Sequence, residues 1–335
     1  MLFDKDYEYW YIKGIIIKKE RAMDFKKFIN GALGRPEKGD TVKYFSMRDR
    51  ISGYILTKAQ QNSPTCGYNY EADITKFWEE FQSLKETCDY PLSFNTIMMK
   101  VLVEGLKAAP KLNAHLKFNK TSSCGEIVIK KHINISMPVV LDEGDTFPLK
   151  VKEAENKSLK ELSEQIADLI ERLKNTELNR VLFDVVAQRT VGLFLSGAII
   201  PTLAQTITGY VGKNKVAKVR DHFNPVPNDG SILYMDELNE GSVCLTNWGV
   251  LYDGLNGNVT YTPLLYPQTF LMTMGVVKDV DYAFRNEKGE VDIGTKKMLP
   301  ITLMFDHRIG AFNDVMPFIK KLDEIFQNPE IMREW

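Results

Sequence analysis

Histidine is the residue type best suited to acid–base chemistry at neutral pH, and one of the four histidines of this chain has a distinctive position. His307 directly follows the apolar run Leu299–Phe305, between Asp306 and Arg308. The end of a buried strand can hold an imidazole rigidly at the rim of a core, where it still meets a substrate and can remove a proton. His307 is therefore a candidate general base. A structural histidine that bridges polar backbone groups is the alternative.

The histidines and cysteines do not form a metal-binding pattern. Metal-ligand spacing is absent among the histidines, which are His115, His132, His222 and His307. The cysteines are scattered without a CxxC pair, at Cys66, Cys88, Cys124 and Cys244. This usage predicts buried, reduced thiols in a cytoplasmic protein without a metal.

Helices and strands alternate irregularly along the sequence. Apolar spacing and capping residues predict helices over Ser93–Ala109, Ser158–Lys174 and Val315–Phe326. Strand-like runs lie at Ser242–Thr246, Phe270–Val277 and Leu299–Phe305, and alternation over Glu126–Val140 predicts a strand or hairpin. This order predicts a mixed α/β fold with long-range sheet pairing.

Composition indicates a globular protein. The 335 residues include 43 Lys and Arg against 44 Asp and Glu, for a formal net charge of −1. This balance, without a local basic block, argues against nucleic acid as a partner. The 18 Phe, 14 Tyr and 4 Trp residues require burial, which argues against intrinsic disorder.

One segment, Thr190–Gly212, carries no formal charge and is bordered by basic residues. Its length reaches that of a membrane span, but Pro201 interrupts it and polar side chains dilute its apolar character. A helical pair packed on the core or on a neighbouring subunit is the favoured interpretation. A hydrophobic element that seats on a lipid surface, or that covers a substrate, is the second.

Several blocks of the sequence resemble the dihydrolipoamide acyltransferases that form the core of 2-oxo acid dehydrogenase complexes. Phe305-Asp306-His307-Arg308 before a closing helix is similar to their DHRxxDG signature, and Leu245-Thr246-Asn247-Trp248-Gly249 is similar to their I-S-N-L-G turn. Other blocks in the family order begin at Asp49, Ser93, Pro110, Pro148 and Asn156. Together they cover roughly residues 45 to 330.

The resemblance implies the fold of chloramphenicol acetyltransferase, a mixed sheet flanked by helices (α/β, in an α+β arrangement), here with a helical hydrophobic insert. It also implies a homotrimer with active sites between subunits. The implied activity is acyl transfer between coenzyme A and a small-molecule or lipidic thiol, hydroxyl or amine. His307 would be the base, Thr246 would support the oxyanion, and Asn95, Asn247 and Arg308 would bind coenzyme A. An ordinary strand residue is the alternative for Thr246.

The sequence departs from the family at the aspartate and glycine of the His-x-x-x-Asp-Gly pattern, which are Ala311 and Phe312 here. The resemblance implies that this aspartate shapes the site through an ion pair, and Phe312 would fill space beside it. We expect Asp314 or Asn313 to cap the final helix instead. A catalytically impaired relative that serves as a trimeric scaffold or regulatory partner is therefore the alternative function.

The predicted organisation is one acyltransferase-like domain over residues 1–335, with an N-terminal arm at 1–45 and an insert at 180–230. Only about 45 residues precede the first family block, too few for lipoyl and subunit-binding domains. We therefore expect a free-standing acyltransferase with no lipoate bound to this chain.

Overall fold

The computed structural model describes residues 9–12, 15–18, 25–140, 146–195, 197–210, 229–238, 241–251 and 257–335. They divide into two units, Met1–Phe45 and Ser46–Trp335. In the first unit, strands β1 (Tyr9–Ile12) and β2 (Ile15–Lys18) pair antiparallel, and helix α1 (Phe25–Ala32) follows.

The second unit is built on a seven-stranded mixed sheet. Its elements in chain order are α2 (Met47–Asn62), β3 (Thr65–Asp73), α3 (Thr75–Thr87), α4 (Phe94–Ala108), β4 (Ala114–Asn119), β5 (Cys124–Ile129), β6 (Ile135–Val140), β7 (Thr146–Val151), α5 (Leu159–Lys174), α6 (Leu178–Leu195), α7 (Ile199–Tyr210), α8 (Met235–Leu238), β8 (Val243–Asn247), β9 (Phe270–Met274), β10 (Lys278–Arg285), β11 (Val291–Asp306) and α9 (Phe312–Gln327). The strand order is β10-β11-β9-β8-β6-β7, with β3 also paired to β11. Strand β8 runs parallel to both β6 and β9, whereas the other pairs are antiparallel. The mixed sheet flanked by helices confirms the predicted fold class.

The main core lies between one face of this sheet and the helices α3, α4, α5 and α9. Helix α4 begins where the Ser93 hydroxyl accepts a hydrogen bond from the Thr96 backbone N–H, and it buries ten residues. Helix α9 approaches so closely that a Cβ on Gly105 would lie 2.5 Å from the ring of Phe318. Gly105 therefore sets the spacing between the two helices.

The opposite face of the sheet carries a smaller apolar cluster of Cys244, Leu264, Leu271 and Met304. Burial raises the pKa of the Cys244 thiol to about 12, so this thiol stays protonated and unreactive at neutral pH.

The predicted helices correspond to α4, α5 and α9, and the capping box of Ser158 and Glu161 is present at the start of α5. The prediction of one strand or hairpin over Glu126–Val140 is wrong. Strand β5 pairs with β4 in a separate two-stranded sheet, and β6 joins the large sheet between β7 and β8.

The described residues of the uncharged segment belong to a helical pair, α6 and α7, that turns at Gly197 with φ +77°. Helix α6 contacts α2. Large apolar side chains near the turn are exposed, with Leu195 78% and Ile200 81% accessible. Within the described ranges, no helix combines the length and the apolar character that crossing a membrane requires.

Candidate active site

Strand β11 delivers His307 to the edge of the core, as the sequence predicted. Its last residues are buried, and His307 follows as an exposed side chain. The His307 backbone N–H donates to the Pro64 carbonyl at 3.0 Å, and its ring centroid lies 6.0 Å from that of Phe305. The imidazole is thus attached to a rigid strand end and remains open to a reactant.

Asp306 and Arg308 form a close ion pair on either side of His307. The Asp306 carboxylate accepts hydrogen bonds from the Arg308 Nε at 2.9 Å, its terminal nitrogen at 2.6 Å and its backbone N–H at 3.0 Å. The guanidinium also lies 5.2 Å from the centre of the Phe118 ring. These contacts fix the turn that carries His307. The sequence shows both charges but gave no sign that Asp306 is buried.

The region after His307 differs from the predicted family pattern, as the sequence indicated. Ala311 precedes α9 and provides no capping side chain, so the Asp314 carboxylate accepts its backbone N–H at 2.9 Å, which confirms Asp314 as the capping residue. Its ion pair with Lys111, at 3.1 Å, and this N–H bond lower the pKa of Asp314. Phe312 packs on Tyr68 of β3, with ring centroids 5.2 Å apart.

A second group of predicted residues lies where β8 meets α4. The Asn247 Nδ2 donates to the Asn95 Oδ1 at 2.7 Å, and the Asn247 Oδ1 accepts the Gly249 N–H at 2.8 Å. The two asparagines line a small cleft of about 30 Å³ together with Met137, Pro138, Leu245, Val250 and Met274. Asn95 and Asn247 are thus brought together, although 152 residues separate them in the chain.

Thr246 points to the other face of the sheet, the face of Cys244. Its register partner on β9 is Thr273, whose partner on β11 is Thr302, so three threonines form a row across three strands. Thr246 is half-buried, whereas Thr273 and Thr302 are buried. Within the described part of the chain, no side chain or backbone group hydrogen-bonds the Thr246 hydroxyl, which leaves it available to a substrate.

The strand register also gives the distance between Thr246 and His307 within one chain. Thr302 lies level with Thr246, two strands away, and His307 follows five residues later along the chain. Strand spacings of about 4.8 Å and a rise of about 3.3 Å per residue place the two Cα atoms roughly 19 Å apart. The two residues can serve one reaction only if a second copy of the chain completes the site.

The other histidines that the structure describes have structural contacts. The His115 Nε2 lies 3.0 Å from the Gly241 carbonyl oxygen, and burial lowers the pKa of His115. The His132 Nδ1 lies 2.8 Å from the Glu155 carboxylate. His222 lies outside the described residues. Among the described side chains, no group of three His, Cys, Asp or Glu could hold a metal ion.

Comparison with known proteins shows the family and the fold of the chain. The family model described as 2-oxoacid dehydrogenases acyltransferase (catalytic domain) matches residues 36–184 and 229–333, which leaves 185–228 unmatched. A dihydrolipoyllysine-residue succinyltransferase component of the Bacillus subtilis 2-oxoglutarate dehydrogenase complex is 22% identical over 294 residues, covering 86% of this chain and 54% of that protein. A mitochondrial dihydrolipoyllysine-residue acetyltransferase component of the Saccharomyces cerevisiae pyruvate dehydrogenase complex is 23% identical over 304 residues, covering 88% of this chain and 49% of that protein. The chain thus spans about half the length of these relatives.

Solved structures share the fold. A probable dihydrolipoamide acetyltransferase from Listeria monocytogenes superposes with a TM-score of 0.57 at 15% identity, covering 87% of this chain and 96% of the other. The dihydrolipoamide acetyltransferase of Azotobacter vinelandii superposes with a TM-score of 0.56 at 16% identity, covering 92% and 96%. Since the family model matches most of the sequence in two blocks on either side of the insert, the chain belongs to the acyltransferase catalytic-domain family of the 2-oxoacid dehydrogenases.

Proposed function

We propose that this protein transfers an acyl group between coenzyme A and a thiol, hydroxyl or amine acceptor. The observation that carries the proposal is the exposed His307 at a buried strand end, with the paired residues Asp306 and Arg308 on either side of it in the chain. An imidazole placed in this way suits proton removal from a nucleophile near neutral pH. Family membership supports acyl transfer as the reaction.

In the proposed reaction, His307 takes the proton of the acceptor as its sulfur, oxygen or nitrogen attacks the thioester carbonyl. The new bond to carbon produces a tetrahedral oxyanion, and the Thr246 hydroxyl donates a hydrogen bond to it. The carbon–sulfur bond then breaks, and the imidazolium returns the proton to the departing coenzyme A thiolate. The acceptor is acylated, and the imidazole is again neutral.

The proposed assembly is a homotrimer in which His307 of one subunit and Thr246 of the next face the same substrate. The roughly 19 Å separation within one chain supports a site shared between copies. Asn95 and Asn247 are proposed to bind coenzyme A in their cleft. For Arg308 the bonds to Asp306 support a positioning role beside His307, with coenzyme A contact as a further proposal.

A second candidate function is a trimeric scaffold or regulatory partner with impaired catalysis. Ala311 favours it, because no carboxylate extends from the position where the resemblance places the family aspartate. Cytoplasmic localisation, which the sequence predicted, stays a prediction.

One experiment separates the two functions. We expect His307→Ala to lower kcat/KM for coenzyme A release from acyl thioesters by about 10²- to 10⁴-fold, the range typical for loss of a general base. His132→Gln is the matched control, because His132 contacts Glu155 and is proposed to take no part in transfer. Equal turnover in the His307 variant and wild type would refute the catalytic assignment. No turnover by wild type with any acceptor would favour the scaffold.

We also propose that the tip of the α6–α7 hairpin contacts an anionic lipid surface. Helix α7 turns Ile199, Ile200, Leu203 and Ile207 to solvent, while its half-buried side carries Thr202 and Gln205. Between Asp184 and Asp221 the sequence contains five basic residues and no acidic one. Exposed apolar side chains in a segment that basic residues flank in the sequence are the features of an interfacial lipid anchor.

Vesicle sedimentation tests this contact. We expect wild type to bind vesicles that contain phosphatidylserine more strongly than neutral ones, and Ile200→Glu to lose that binding. Gln188→Glu, at an exposed position on α6 before the uncharged segment, adds the same charge away from the tip and serves as the control. Equal sedimentation of Ile200→Glu and wild type would exclude the contact.

A further inference from the structure

An apolar cavity of about 420 Å³ lies among helices α2 and α6 and the strands β6 and β7 at one edge of the sheet. Its volume is within the range of about 300–1,000 Å³ that is typical of small-molecule sites. Four structural groups line it: Arg48, Ile51, Ser52, Ile55 and Leu56 of α2; Pro138 of β6 with Thr146, Phe147 and Pro148 of β7; Leu178, Val181, Leu182 and Val185 of α6; and Leu238 with Leu265.

The lining predicts what the cavity binds. Twelve of its fifteen lining residues are aliphatic, aromatic or proline, and the other three are Arg48, Ser52 and Thr146. Arg48 is held at the wall, because it donates to the Thr146 carbonyl at 3.4 Å and its guanidinium lies 5.3 Å from the centre of the Phe147 ring. Water would find few hydrogen-bond partners on such walls, whereas a hydrocarbon chain that lies against them would be largely removed from water.

The strand register connects this cavity to the proposed oxyanion residue. Strands β6 and β8 run parallel with Ser136 opposite Cys244, so that Pro138, two residues further on, comes level with Thr246. Both side chains point to the same face, since residues alternate along each strand. Adjacent strands lie about 4.8 Å apart. The cavity wall at Pro138 is therefore one strand away from the place where a thioester carbonyl would meet Thr246.

One wall of the cavity is helix α6, whose C-terminal part lies in the insert that the family model does not match. Helix α6 extends from the region that the family model matches into the unmatched residues 185–228. Val185, the first unmatched residue, lines the cavity, with Val181 and Leu182 beside it. The insert thus begins as part of the wall of an apolar cavity.

We propose that this cavity holds the hydrocarbon chain of the acyl group that is transferred, with its carbonyl end at Thr246. The substrate is then an acyl thioester whose aliphatic tail contains several methylene groups, in place of an acetyl or succinyl group. The succinyl carboxylate would have to enter an apolar space. This inference rests on the proposed acyl transfer for the role of the chain, but the binding of the chain can be measured without turnover.

The test uses two ligands that report different parts of the site. Binding of a fluorescent fatty acid, dansylundecanoic acid, tests whether the cavity accepts a hydrocarbon chain. Binding of coenzyme A alone tests the coenzyme A site on which the proposed function depends. Saturated acyl-coenzyme A thioesters of increasing length then compete with the fluorescent probe. We expect roughly fourfold tighter binding for each methylene added until the cavity is full.

Cavity-filling variants locate the chain. Val185→Phe narrows the cavity from α6, and Ser52→Phe narrows it from α2 at an exposed position where the fold tolerates a larger side chain. Val186→Phe is the matched control, because Val186 is a half-buried valine of the same helix outside the lining. We expect both cavity variants to weaken binding of the fluorescent probe at least tenfold and to abolish the dependence of thioester affinity on acyl-chain length. Val186→Phe should retain the probe affinity and the chain-length dependence of wild type.

Each outcome decides the question. If coenzyme A binds but affinity does not change with acyl length, or the probe does not bind, the cavity does not hold the chain and the proposed acyl transfer survives. If Val186→Phe weakens binding of the probe as much as Val185→Phe does, the cavity is not the binding site of the probe. If the probe binds as expected but neither coenzyme A nor its thioesters bind, the cavity is a hydrocarbon site and the proposed acyl transfer is wrong.

Discussion

The ion pair beside His307 allows a prediction whose magnitude depends on the burial of its carboxylate and on its two-pronged hydrogen bond. In the Arg308–Asp306 pair the side chains are 21% and 1% exposed, whereas in the Lys321–Glu324 pair of α9 they are 22% and 59% exposed. The two cations are about equally accessible, but the Asp306 carboxylate is buried and accepts two hydrogen bonds from the Arg308 side chain, whereas the Glu324 carboxylate is exposed and accepts one from Lys321. Arg308→Ala would leave a buried carboxylate without its partner, which typically costs about 3–5 kcal/mol of unfolding free energy. Lys321→Ala should cost about 1 kcal/mol or less.

Urea unfolding at neutral pH, followed by circular dichroism, measures both changes. If the Arg308 variant does not fold, Arg308→Lys retains a charge but loses the two-pronged bond, and its intermediate loss of stability provides the same comparison. Because the pair positions His307, the Arg308 variants should lower kcat more than they raise KM at temperatures where they remain folded. A loss of stability for Arg308→Ala no larger than that for Lys321→Ala would refute the reasoning.

Three further predictions follow from the packing and the titration of single residues. Gly105→Ala should destabilise the fold by about 1–3 kcal/mol in thermal unfolding, because its methyl group would meet the Phe318 ring; an unchanged Tm would contradict this spacing. The pKa of Asp314 is lowered in the folded protein, so its contribution to the free energy of unfolding is complete above the unfolded pKa of 3.8 and is lost as the pH falls through the lower folded value. Asp314→Asn should therefore lose less stability than wild type when the pH is lowered. The same pH dependence of the free energy of unfolding in the variant and in wild type would contradict this prediction. Alkylation at pH 8 followed by mass spectrometry should modify the exposed Cys124 and leave the buried Cys244 intact; equal labelling would show that the sheet opens readily.

Sequence reasoning succeeded where the signal is local. The capping box at Ser158 and the apolar spacing after Ser93 define α5 and α4 within one or two residues, because caps and helical periodicity act over a few turns. The position of His307 at a strand end was predictable for the same reason, since the strand and the histidine are adjacent in the chain.

Features that depend on long-range pairing were not predictable. Alternation over Glu126–Val140 indicates extended backbone. It does not reveal that β5 pairs with the preceding strand, β4, while β6 pairs with β8. The cavity was missed for the same reason, because its walls come from five segments that are separated along the chain. The alignment of Thr246 with Thr302 requires the register of three strands, which no local pattern encodes.

The distance between Thr246 and His307 has a genetic consequence. The proposed site, assembled from two copies, can be damaged on either side, so a chain with His307→Ala and a chain with Thr246→Ala each retain the half that the other has lost. When the two inactive chains are mixed and reassembled, one contact in about four joins an intact His307 to an intact Thr246 in a cyclic trimer. Two inactive genes in one cell should then complement each other, which a site contained within a single chain would never allow.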